Sequence, residues 1–115
     1  MARTVVLITK GWLGHVSESD RAFGETMLDK FLHTLETAAE KPATICFYTE
    51  GVRLVVQGSP VLLGLKILAD AGMKLLVCQT CLVQYGLMDK VAVGTVGGMT
   101  DIVAAMMSAD KVITI

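Results

Sequence analysis

Five short apolar runs constrain this chain more than any other feature. Thr4-Val5-Val6-Leu7-Ile8-Thr9, Thr44-Ile45-Cys46-Phe47-Tyr48-Thr49, Lys74-Leu75-Leu76-Val77, Val91-Ala92-Val93 and Lys111 to Ile115 are rich in residues that favour strands. In the first three, apolar residues stand at consecutive positions rather than alternate ones. Such a strand is covered on both faces, as in a parallel sheet between helical layers. The intervening stretches are long enough for the crossovers that parallel pairing requires.

Those stretches carry helical signals. Phe23, Met27, Phe31 and Leu35 recur every four residues, with Leu28 and Leu32 widening the stripe. A first helix is expected from about Asp20 to Glu40. Ser17 with Asp20 resembles a capping box at its start. Lys41-Pro42 closes it, because proline disfavours helical geometry in the residue before it. After a turn at Glu50-Gly51, the segment Arg53 to Val56 fits either a short strand or a helical turn. Ser59-Pro60 starts a second helix. Leu62, Leu65, Leu68 and Ala69 form its apolar face, Lys66 and Asp70 face water, and Gly72 ends it. A short helix is expected from Thr80 to about Leu87. Gly94 to Gly98 reads as a flexible connection. Thr100 caps a last helix, roughly Asp101 to Ala109, that buries Ile102, Val103, Met106 and Met107. The alternation predicts an α/β fold, a parallel sheet with helices on both faces, in one domain over residues 1–115.

Composition narrows the function. The chain is 53% hydrophobic with a mean hydropathy of +0.61. Buried parallel strands and subunit interfaces both call for that much apolar surface. Lys66, Asp70 and Lys74 break the longest apolar region into pieces shorter than the ~20 residues of a membrane span. Val5 to Ile8 is too short for the core of a signal peptide. The expected location is the cytoplasm. A formal charge of −1 provides no basic field, and 5% aromatic residues provide few stacking platforms, so nucleic acid is not an expected partner. Three cysteines in a cytosolic chain point to catalysis, redox chemistry or metal binding rather than structural disulfides.

Two of those cysteines lie in Cys78-Gln79-Thr80-Cys81, where a strand should hand over to a helix. In a parallel sheet that edge is where ligands bind. A sulfur nucleophile works as its thiolate and needs a lowered pKa. The first turn of a helix offers unpaired N–H groups and the positive dipole end, so Cys81 is the expected nucleophile. Cys78, deeper at the strand end, is suited to resolve a disulfide or persulfide on Cys81. The plainer reading makes both small core fillers, and Cys46, inside a strand, is expected to be one. A zinc site would need about four ligands, with His15 or His33 joining the cysteines, and no metal is expected. His15, in the loop from Lys10 to Asp20 on the same edge, is a candidate acid or base. Gly94-Thr95-Val96-Gly97-Gly98-Met99 precedes a helix but matches no phosphate-binding pattern. Turn flexibility accounts for its glycines.

Leu76-Val77-Cys78-Gln79-Thr80-Cys81-Leu82, with Tyr85-Gly86-Leu87 and Val93-Gly94, resembles the signature of YedF-type selenium-metabolism proteins, within the DsrE/TusD-like superfamily. Phe31-Leu32, Thr34-Leu35, Gly51-Val52, Gly58-Ser59, Met99, Asp101-Ile102-Val103 and Ala109 to Ile113 extend the likeness along nearly the whole chain. The resemblance implies a three-layer α/β/α sandwich with a mostly parallel five-stranded sheet. It implies a sulfurtransferase-like activity in which Cys81, with Cys78 beside it, carries sulfane sulfur or selenium as a persulfide. Gln79, Thr80, His15, Gly51 and Met99 are then expected around the substrate, with no cofactor. It also implies homo-oligomers (dimers, trimers or hexamers) and a sulfur donor or acceptor protein. These residues hold no TusA-like stretch with its Cys-Pro motif, so a TusA-like partner is expected to come from a separate chain. Gln79, Glu50 and Gly98 depart from the group, which usually has glycine, asparagine and asparagine there. A non-catalytic binding subunit and a small dithiol redox module are the competing expectations.

Overall fold

A computed structural model of the chain describes residues 3–115. The strands β1 (Thr4–Ile8), β2 (Thr44–Phe47), β3 (Lys74–Cys78), β4 (Thr95–Gly97) and β5 (Lys111–Thr114) form one sheet in the order β4-β3-β2-β1-β5. Every pairing is parallel. The helices are α1 (Arg21–Thr37), α2 (Leu62–Asp70), α3 (Gln79–Gln84) and α4 (Met99–Met107). From β1 to β4 the chain steps in one direction, then returns past β1 to lay down β5. Right-handed crossovers therefore put α1, α2 and α3 over one face and α4 over the other. In keeping with this, α1 packs on α2, and α4 packs on β3 and β4.

The consecutive apolar runs are buried because both faces are covered. Val5 to Ile8, Ile45 to Phe47 and Leu75 to Cys78 all lie in the core. Cys46 is among them, between Leu7 of β1 and Leu76 of β3. Burial pushes its thiol up to about 11, with nearby Lys74 opposing slightly. Cys46 is an inert filler of the core, as its place in the strand suggested.

Several boundaries differ from the sequence expectation. The fourth strand is Thr95–Gly97, not Val91-Ala92-Val93. Val91 instead forms an antiparallel bridge with Val56, and the Ala92 N–H donates to the Val55 carbonyl at 2.8 Å. Gly94 then turns the chain with φ +93, a conformation side chains resist. A Cβ there would crowd Val77 and Leu75. The supposed flexible connection is thus an edge strand. Of the two forms open to Arg53 to Val56, the helical turn is the one observed, in a 3-10 segment over Thr49–Val55. The first helix starts at Arg21 and stops at Thr37; Ser17 reaches only its neighbours Ser19 and Asp20. The second helix starts at Leu62, two residues inside the Ser59-Pro60 signal. The Ser59 hydroxyl accepts the Val61 N–H at 3.3 Å in the turn before it.

The last helix starts at Met99, so Thr100 is not its cap. The Asp101 carboxylate accepts the Gly98 N–H at 2.9 Å and closes the start. Of the four residues expected on its buried side, Ile102 is buried and Met106 is half-buried. Val103 and Met107 are 43% and 81% exposed. The helix covers the sheet with one narrow stripe and turns a second apolar stripe outward.

One close approach ties the 3-10 segment to the sheet. A Cβ on Gly51 would collide with the Ile8 carbonyl oxygen at the end of β1. Gly51 is buried there and contacts backbone, which cannot move aside as a flexible side chain could. Gly51→Ala is expected to destabilise the fold by about 1–3 kcal/mol, the range for overpacking a filled site. Chemical denaturation of the two proteins checks this; an unchanged midpoint would show that the segment can lift away at no cost.

Candidate functional site

The register brings four strand ends to one edge. Ile8, Phe47 and Val77 align across β1, β2 and β3, and Cys78 aligns with Gly97 of β4. Beyond them lie the loop after β1, the 3-10 segment after β2, α3 after β3 and α4 after β4. Cys78 is the last residue of β3 and the residue that precedes α3; Cys81 lies in the first turn of that helix.

The two sulfurs are 3.2 Å apart, with the Cys81 thiol donating to Cys78 Sγ. Both are free thiols. Their surroundings differ. Cys78 is 1% exposed, enclosed by the core, while Cys81 is only partly covered. The Thr49 N–H donates to Cys81 Sγ at 3.0 Å. Thr49 reaches that position because β2 stops at Phe47 and the chain turns sharply. Its φ is +48, and no other non-glycine residue among those described has a positive φ. A β-branched residue held there costs on the order of 1–3 kcal/mol. The Thr49 hydroxyl donates to the Thr9 carbonyl at 3.0 Å, and the Tyr48 N–H donates to the Ile8 carbonyl at 3.2 Å. These bonds and the Gly51 contact fix the strained residue against the end of β1.

The electrostatics of Cys81 run against the sequence expectation of a lowered pKa. Its thiol is raised above the ordinary value. Partial burial is the largest cause, the hydrogen bond to Cys78 adds to it, and the Thr49 N–H works in the opposite direction. Burial disfavours the thiolate, and a bond donated by the thiol holds its proton. One backbone N–H and the first turn of a six-residue helix do not outweigh the two.

The other sequence candidates fall in different places. Gln79 and Thr80 are exposed between the cysteines, on the rim of the site. Met99 is exposed at the start of α4, two residues after Gly97, the partner of Cys78. Gly51 is buried and serves the packing of the 3-10 segment rather than facing a substrate. His15 is exposed in the loop after β1 and has no side-chain hydrogen bond or ion pair among the described residues. No described contact links it to either sulfur. His33 lies on α1 between Asp29 and Glu36, away from the cysteines in sequence and partners. Among the described residues, no three His, Cys, Asp or Glu side chains converge to hold a metal ion.

Sequence reasoning missed Thr49, which it placed inside the second strand. Neither composition nor periodicity marks a threonine that will adopt a positive φ. It also missed a cleft of about 210 Å³ whose walls include Trp12, Glu25, Glu50, Arg53 and Leu54. Arg53 stacks its guanidinium on the Tyr85 ring at 4.3 Å, joining the 3-10 segment to the end of α3. Arg21 stacks likewise on Trp12 at 3.7 Å.

The hydrogen bond between the thiols makes Cys78 one cause of the high Cys81 pKa. Cys78→Ala removes that cause and leaves the Thr49 N–H, so the Cys81 pKa is expected to fall. Because alkylation follows the thiolate, the rise of the Cys81 alkylation rate with pH should move to lower pH. Rates with iodoacetamide across pH 6 to 10, about the range in which thiols titrate, check this by peptide mass. An unmoved or upward-shifted profile would mean that the Cys78 sulfur does not hold the Cys81 proton.

A family model described as DsrE/DsrF-like matches residues 19–115. No curated protein gives a match. Among solved structures, the ychN protein of E. coli superposes with a TM-score of 0.72 at 20% identity, covering 100% of both chains. A protein of unknown function from Methanobacterium thermoautotrophicum gives 0.70 at 18%, again over 100% of both chains. A conserved protein of unknown function from Bacteroides thetaiotaomicron gives 0.67 at 17%, over 97% of this chain and 94% of that one. At these identities the structural likeness speaks for the fold. With the family model covering most of its length, the chain belongs to the DsrE/DsrF-like family.

Proposed function

We propose that this protein is a cytoplasmic sulfur carrier that holds sulfane sulfur (or selenium) as a persulfide on Cys81. The observation that carries this reading is the asymmetry of the thiol pair. One sulfur is accessible at the open edge of the sheet with a backbone N–H on it, and the other is enclosed behind it. Family membership and the YedF-like run from Leu76 to Leu82 support it. In the loading step Cys81 Sγ attacks the outer sulfur of a donor persulfide. A bond forms between Cys81 Sγ and that sulfur, the donor's own sulfur–sulfur bond breaks, and the Cys81 proton leaves with the donor thiol. The raised pKa keeps the thiol quiet until a donor can take that proton. The thiolate then formed is more nucleophilic than one of low pKa. Thr49 stabilises the thiolate both as it attacks and when it departs during transfer to an acceptor.

The partners of this reading are a donor or acceptor protein, of which a TusA-like carrier is one, and a second copy of the chain. The outer face of α4 supports the second copy. It presents Met99, Val103 and Met107, and the helix carries a single charged residue, Asp101, whose carboxylate accepts the Gly98 N–H. An apolar stripe with so few charges can pack on its own copy. A dithiol redox module is the second reading, favoured by the 3.2 Å between the sulfurs. It requires a reversible disulfide with no sulfur donor present.

Loading with a glutathione persulfide donor tests the carrier. With an alkylating agent added at once to trap the adduct, added sulfur is expected on the Cys81 peptide of the wild-type protein and lost in Cys81→Ser. A Cys81→Ser protein that gains sulfur at the wild-type level would exclude Cys81 as the carrier. For the assembly, sedimentation should give a mass above the 12.3 kDa of one chain. Met107→Asp should lower it while leaving the circular dichroism spectrum unchanged; a wild-type monomer would exclude the self-association.

A further inference from the structure

We propose that Cys78 gives the protein a second activity: it cleaves the persulfide on Cys81, releasing sulfide and closing a Cys78–Cys81 disulfide. This rests on the carrier reading of Cys81.

Exposure sets the order of events. Cys78 is 1% exposed, so neither a donor nor a bulky acceptor reaches its sulfur. The group that does reach it is whatever stands on Cys81, 3.2 Å away. Cys78 is also held in place. Its backbone belongs to β3 and is aligned with Gly97 of β4, so the sulfur stays aimed at its neighbour. Cys81 is the movable partner, in a helix of only six residues.

Displacement at sulfur wants the attacking and leaving atoms on opposite sides of the sulfur attacked. Cys78 approaches Cys81 Sγ from the buried side. Cys78 and the Thr49 N–H already occupy two positions around Cys81 Sγ, which leaves the open side for a second sulfur bonded to it. Attack from the buried side at the inner sulfur would then expel that second sulfur outward. Closing a bond of about 2.05 Å from the present separation asks for roughly 1 Å of movement, within reach of a side-chain adjustment at Cys81.

The step balances. The Cys78 proton passes to the outer sulfur of the Cys81 persulfide anion. The Cys78 sulfur forms a bond to Cys81 Sγ, the bond between the two sulfurs of the persulfide breaks, and hydrosulfide leaves. The sulfane sulfur is reduced by two electrons, and the two cysteine sulfurs are oxidised by two electrons to the disulfide. A dithiol reductant, reaching the disulfide at the accessible Cys81 sulfur, restores both thiols for another turn. The two fates of the sulfur therefore compete. A docked acceptor thiol takes the outer sulfur intact, and without one Cys78 discharges it as sulfide.

The test uses the reduced full-length protein, loaded with glutathione persulfide, desalted and left without acceptor. The wild-type chain is expected to release one sulfide and to end two hydrogen masses lighter than its reduced form. Cys78→Ala, and independently Cys78→Ser, should keep the mass of one added sulfur and release none. A wild-type chain that keeps its added sulfur as firmly as the Cys78 variants would overturn the cleavage and leave the carrier reading standing. Cys78 variants that take up no sulfur at Cys81 would overturn both. A donor-free control that closes the disulfide at the same rate, with no sulfide formed, would also overturn the cleavage and favour the redox module.

Discussion

The site depends on one close contact between backbones. The 3-10 segment after β2 can lie against the end of β1 only because residue 51 has no side chain to strike the Ile8 carbonyl. That contact brings Thr49, two residues earlier, over the edge of the sheet. There its hydroxyl meets the Thr9 carbonyl and its N–H meets Cys81 Sγ. The positive φ of Thr49 is the cost of the arrangement. Strain of this kind persists where surrounding packing over-determines it. Here the buried run Val52, Leu54, Val55 and Val56 anchors the segment to the core. The N–H is thus a fixed donor at the sulfur, where a mobile loop would offer only an occasional one.

The electrostatic character of the pair follows from this setting. A low-pKa cysteine is reactive toward many electrophiles at all times. Cys81 is held on the protonated side, first by partial burial and then by the second sulfur. On the carrier reading such a thiol would gain selectivity from its partner, becoming a strong nucleophile only when a docked donor takes the proton. The fixed Thr49 N–H, already on the sulfur of the thiol, acts more strongly on the charged form. A hydrogen bond that is worth little in the resting thiol is worth more once charge develops, because charged partners make stronger bonds.

The parts of the molecule legible in the sequence were those dictated by local pattern. Val5 to Ile8, Ile45 to Phe47 and Leu75 to Val77 announce buried strands by carrying no polar residue, and the sheet accepts them in parallel. The position of Cys78 and Cys81 at a strand-to-helix junction was equally local. What stayed hidden depends on contacts between distant segments. Thr95 to Gly97 is a strand because Gly94 and Gly97 let the chain lie close to Leu75, Leu76 and Val77. In isolation its glycines read as a loop, and Val91 to Val93 read as the better strand. The Thr49 donor is hidden for the same reason, since it exists only through Gly51 meeting Ile8. The sign of the Cys81 pKa was misread because a helix start is visible in sequence, whereas partial burial and a thiol at 3.2 Å are not.

The outward apolar stripe of α4 bears on the chemistry through the same edge. Gly97 is paired with Cys78, and α4 begins two residues later at Met99. Only the Met99 end of that stripe lies at the edge that carries the sulfurs; Met107 is at the far end of the helix, and α4 covers the face opposite α3. A second copy seated on the stripe would therefore leave the Cys81 side of the edge open to a donor. On the carrier reading, Gln79 and Thr80, the two exposed side chains between the cysteines, would be among the first groups such a donor meets, so the departure at Gln79 falls where a change of partner would be written.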